Sequence, residues 1–91
     1  MVPRLRKFSH EDRLKIAHHI SDRVVQKYRN NVLAVYVCGS TSKKLDRPYS
    51  DLELIVVVRD QAEIAMKYYL YRGLIIQIEY LKSSKILSDA E

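Results

Sequence analysis

The 24 residues VYVCGSTSKKLDRPYSDLELIVVV, Val35 to Val58, carry the information that fixes the fold. An apolar run ends at Gly39-Ser40, a polar loop follows, and Asp51 and Glu53 begin a second apolar run. Successive side chains of a strand point to opposite faces, so carboxylates with one residue between them share a face. Such a pair suits a hard divalent cation, which takes oxygen ligands and commonly one or two carboxylates beside substrate phosphates. The Gly-Ser turn leaves backbone N–H groups free to receive an anion. Metal, phosphate and nucleotide are the leading expectation.

Before this stretch, residues 1–8 read as a basic arm that frays, with Pro3 disfavouring helix. Ser9 is a good N-cap for a helix running to about Arg29, with Glu11 and Asp12 in its acidic first turn. Ile16, Ala17, Ile20, Val24 and Tyr28 form its apolar stripe, and Arg13, Lys15, Asp22, Arg23 and Lys27 are placed mostly away from it. Asn30-Asn31 supplies a left-handed exit. Val32 to Cys38 reads as a strand covered on both faces.

After it, Asp60 and Glu63 have the spacing of a helix-capping pair, predicting a second helix to about Tyr71 with Gly73 just past its end. A third strand is expected from Leu74 to Leu81, with Ile75, Gln77 and Glu79 on one face, and Ser83 caps a last turn through Ile86 and Leu87. The fold class is therefore α/β, a small mixed sheet of three or more strands with helices packed against it.

A chain of 91 residues is one domain, 1–91, with a modest core. Cys38 is the only cysteine, so an internal disulfide and a thiolate zinc cluster are excluded, and its apolar surroundings make it a small core side chain. His18 and His19 are adjacent, without the helical spacing of a zinc pair. No run reaches the roughly 18 apolar residues of a membrane span, and together with the thiol-poor composition this points to a cytoplasmic protein. The net charge of +5 falls in residues 1–30, which hold eight basic and three acidic residues, while the remainder is balanced. A basic helix face follows, but no base-reading motif accompanies it, so nucleic acid is possible and not favoured.

Gly39-Ser40, a ten-residue spacer, Asp51-Leu52-Glu53 and a hydrophobic strand together resemble the nucleotidyltransferase signature of the DNA polymerase beta superfamily. The likeness is closer to minimal nucleotidyltransferase domains and to the amino-terminal domain of kanamycin nucleotidyltransferase, running from Asp12 through Val58 and more weakly through Gly73 and the third strand. The resemblance implies a nucleotidyltransferase fold with catalytic and metal-binding Asp51, Glu53 and a third carboxylate, for which Glu79 is the candidate. It implies that Gly39 and Ser40 hold nucleotide phosphates and that Lys43 or Lys44 neutralises their charge. The implied cofactors are Mg²⁺ and ATP as nucleotide donor, with AMP moved to a hydroxyl of a protein or small molecule.

Larger members of the superfamily enclose the acceptor with a further helical domain. The resemblance therefore implies a homodimer or a complex with a helical partner of the HEPN type, as in toxin–antitoxin pairs. An antitoxin-like interaction protein with weak or no catalysis is the alternative. Tyr49 lies beside the proposed site in sequence, and Tyr68, Tyr69 and Tyr71 suit either the core or an interface.

Overall fold

The computed structural model describes residues 5–85. Helix α1 (His10–Tyr28) is followed by a 3-10 turn and strand β1 (Val32–Cys38), then by the single turn α2 (Gly39–Ser42). Strands β2 (Leu52–Val58), β3 (Lys67–Tyr71) and β4 (Leu74–Lys82) complete a four-stranded mixed sheet in the order β1-β2-β4-β3. β2 and β4 are parallel, and each edge strand runs antiparallel to its neighbour. This is a small α/β fold with a mixed sheet, compatible with a nucleotidyltransferase-like one.

The alternation in β2 and β4 builds one core. Leu52, Leu54, Val56 and Val58 face the same side as Leu74, Ile76 and Ile78, and all are buried against Ala17, Ile20 and Val24 of α1. Ser9 caps the helix as expected, its hydroxyl accepting from the Asp12 N–H at 3.1 Å. Among the described residues no helix is long and apolar enough to cross a membrane.

Several expectations change. The segment read as a second helix ends as strand β3, joined to β4 by Arg72-Gly73, both at positive φ (50° and 88°). Two consecutive left-handed residues make the tight turn whose twist suits a hairpin, so Gly73 serves a strand pair and not a helix end. Tyr68, Tyr69 and Tyr71 are strand formers, and Asp60 caps elsewhere. Its carboxylate accepts from the Ser84 N–H at 3.0 Å and the Ser83 hydroxyl at 3.2 Å, while Glu63 pairs with Lys82. Ser83 to residue 85 is the described part of the last turn; Ile86 and Leu87 lie outside the described residues.

β1 is an edge strand covered on one face only, with Leu33 48% and Tyr36 45% exposed. The helix exit is taken by Arg29 at φ 45° and not by the asparagines. Residues 5–8 do not fray: the Arg6 N–H donates to Gly73 O and the Phe8 N–H to Pro48 O, both at 2.9 Å.

The largest departure is Arg13, fully buried although it was placed off the stripe. It lies one helical turn before Ala17, on the line that continues the stripe. Arg13 Nη1 pairs with Asp46 Oδ2, its Nη2 donates to Arg47 O at 2.9 Å and Pro48 O at 3.2 Å, and His10 Nδ1 approaches Asp46 Oδ1 at 2.7 Å. Burial pushes the Asp46 carboxyl up, but the hydrogen bonds from His10 and Arg13 outweigh it and its pKa is lowered. The loop between α2 and β2 is thereby fastened to the start of α1.

Candidate active site

The face of the sheet opposite α1 has no helix over it among the described residues. Glu53 of β2 and Gln77 and Glu79 of β4 lie on it, all half-buried, and Asp51 continues the alternation at the exposed start of β2. No described Lys, Arg or His lies within ion-pairing distance of Asp51, Glu53 or Glu79. In a chain with net charge +5, three carboxylates left without a cation on one face are oxygen donors available to one.

Glu53 is held from the β1 side. Cys38 is its register partner, and the thiol donates to Glu53 Oε2 at 3.8 Å. Burial, with the nearby Glu53 and Glu79 charges, raises the Cys38 pKa and keeps the thiol protonated at neutral pH. Cys38 is thus half-buried at the edge of the acidic site and not a core side chain. The next residue, Gly39, sits at φ +68°, and a Cβ there would stand 2.4 Å from Glu53 Oε2. The missing side chain leaves the volume that the carboxylate occupies. Oxygen donors sharing a face, one of them seated in this cradle, fit a magnesium ion in kind.

The Gly39-Ser40 turn begins α2. No side chain caps α2, and its carbonyls are used from behind: Ser40 O accepts from the Lys43 and Leu45 N–H groups at 3.2 and 2.9 Å, and Gly39 O from the Ser42 hydroxyl at 2.8 Å. Thr41 is buried, and among the described residues its Oγ1 has no hydrogen-bond partner. Lys43 and Lys44 follow the turn and are exposed, and Tyr49 is 56% exposed. The Arg13–Asp46 pair was not found from the sequence, although it fixes the loop that leads from this turn to Asp51. The position of Arg13 on the stripe was the available signal.

The register sorts the three acids. Glu53 is opposite Gln77, and Glu79 is opposite Ile55, two residues farther along β4. Among the described residues no three His, Cys, Asp or Glu side chains converge as a ready-made ligand cluster. A cavity of about 550 Å³ lies elsewhere, on the α1 side, where Tyr28, Tyr69, Tyr71 and Tyr80 surround Lys67. Lys67 donates there to the Tyr28 hydroxyl at 2.9 Å, but no carboxylate lines that space, so it lacks the donors that the sheet face offers.

A small mixed sheet with a Gly-Ser turn at the end of its edge strand is compatible with a nucleotidyltransferase-like domain. Comparison with known proteins agrees. Over 59 residues, 64% of this chain, it is 39% identical to the aminoglycoside nucleotidyltransferase (4') of Staphylococcus aureus, and the same figures hold for the enzyme of that name from a Bacillus species. These matches support a kanamycin nucleotidyltransferase-like domain, and they cover 23% of the length of those enzymes. No family model matches the chain.

Proposed function

We propose that the chain is the donor side of a metal-dependent nucleotidyltransferase that moves AMP from ATP to a hydroxyl of a protein or small molecule. The observation that carries this reading is the seating of Glu53 in the space left by Gly39, with Asp51 beside it on an open face. Asp51 and Glu53 would hold Mg²⁺, which supplies positive charge to the phosphate oxygens and lowers the cost of the charge that develops there. The Gly39 and Ser40 N–H groups, with the Ser40 hydroxyl, receive the triphosphate at the uncapped turn. Lys43 and Lys44 reach it as flexible point charges.

The acceptor oxygen attacks the α-phosphorus, the bond to the bridging oxygen breaks, and pyrophosphate leaves. Glu79, farther along the same face, takes the hydroxyl proton. Positioning and charge account for most of such a reaction.

The open face also supports a second reading, in which the domain is an antitoxin-like or subunit protein that docks on a helical partner with weak or no catalysis. Tyr36, Met66, Tyr68 and Leu70 are exposed large side chains from strands β1 and β3 or the segment leading to β3. Such a surface suits a partner chain, either a second copy or a helical protein. Incubation with α-labelled ATP and Mg²⁺ separates the readings, with one arm holding a helical protein encoded next to this chain and another an aminoglycoside. Label on either acceptor, lost in D51N/E53Q, is the expected result; tight partner binding with no label in any arm would leave the docking role alone.

A further inference from the structure

The β2–β4 register determines which side chain stands beside Glu53. Neighbouring strands are about 4.8 Å apart, whereas a two-residue step along a strand adds roughly 6.6 Å. Gln77, the Cα partner of Glu53, is therefore its immediate neighbour, and Glu79 stands on the diagonal, about 8 Å away between Cα atoms. The Gln77 amide is engaged sideways, its Nε2 donating to Met66 Sδ at 3.5 Å.

On the other side of Glu53 is Cys38, whose thiol donates to Glu53 Oε2. Neither adjoining strand thus sets a carboxylate directly opposite Glu53, and among the described residues the carboxylates gathered at the start of β2 are those of Asp51 and Glu53. Asp51 and Glu53 are the protein oxygen donors for one divalent ion. A second ion at the few-ångström spacing of a two-metal site would need a further carboxylate where the chain sets the Gln77 amide and the Cys38 thiol opposite Glu53.

Resting on the metal reading of Asp51 and Glu53, we infer that this face is a one-ion site and that Gln77 is the residue that keeps out a second divalent cation. The ion arrives with the triphosphate, and nucleotide binding outlasts efficient transfer. Q77E supplies the missing carboxylate without a change of length.

The test uses the full chain with Mn²⁺ and α,β-methylene-ATP, read by electron paramagnetic resonance and by the Mn²⁺ bound per chain. Wild type and E79Q should give a mononuclear spectrum and one ion. Q77E, with Q77D as a second variant should Q77E fail to fold, should take a second ion and show the spectrum of a spin-coupled pair. A coupled pair in wild type, or one ion in the folded acidic variants, would overturn the inference. Failure of wild type to bind any Mn²⁺-nucleotide would instead overturn the metal reading beneath it, as would undiminished binding by D51N/E53Q.

Discussion

At Gly39 a single missing Cβ serves both backbone and site. An L residue in the left-handed region costs about 1–2 kcal/mol, and at φ +68° the added methyl would also displace the Glu53 carboxylate, which lies 2.4 Å from where it would stand. Gly39→Ala should therefore lower the melting temperature by roughly 4–8 °C for each kcal/mol lost and weaken Mg²⁺-ATP binding at the same time. Thermal unfolding and calorimetric titration check the two effects; a variant that melts earlier yet binds nucleotide as wild type does would separate Gly39 from the site. The residue types at Asp51 and Glu53 and the Gly-Ser turn were legible because strand alternation and a glycine stop are local signals. The seating of Glu53 against Gly39, and the choice of Gln77 over Glu79 as its neighbour, were not, since both depend on strand register across the sheet.

Among the elements, α1 and the loop preceding β2 are coupled through side chains that are almost completely buried, Arg13 at 0% and Asp46 at 1% exposure. Removing one partner of such a pair leaves an uncompensated charge and typically costs about 3–5 kcal/mol, a large part of the roughly 5–15 kcal/mol that holds a domain together. D46N should lose that amount in urea unfolding at pH 7. Because the folded-state pKa of Asp46 is lowered, its contribution is present above the ordinary carboxylate value of about 3.9 and disappears as the pH falls through the lower folded value. The gap between wild type and D46N should accordingly narrow in that acid window, and an equal gap at pH 7 and pH 3 would contradict the coupling.

Element by element, α1, β1, β2 and β4 could be read from periodicity, since their apolar spacing and Ser9 cap are contained in short windows. β3 could not. Asp60 and Glu63 have the spacing of a helix start, yet their partners, Ser83, Ser84 and Lys82, come from the far end of β4. Arg13 was concealed by its charge, because a residue that is ordinarily exposed is buried only when a distant carboxylate and carbonyls receive it.

At the scale of the molecule, one layer of helix on one face of a four-stranded sheet leaves the acidic face open among the described residues. That geometry admits nucleotide and acceptor, and it also exposes Tyr68 at 66% beside the acidic strands. If a second chain covers this face, sedimentation velocity should show concentration-dependent association with itself or with the helical partner. Y68S should weaken that association by about tenfold, equivalent to roughly 1.4 kcal/mol. Unchanged association in Y68S would place the contact elsewhere.

The proposed function depends most on Asp51 and Glu53 as the ligands that bring a divalent ion and a triphosphate to the Gly39-Ser40 turn. Calorimetric titration of Mg²⁺-ATP into wild type and into folded D51N/E53Q tests this most directly. Saturable, Mg²⁺-dependent binding by wild type, weakened at least about tenfold in the double variant, is the predicted result; equal affinity in the two proteins, or binding indifferent to Mg²⁺, would contradict it.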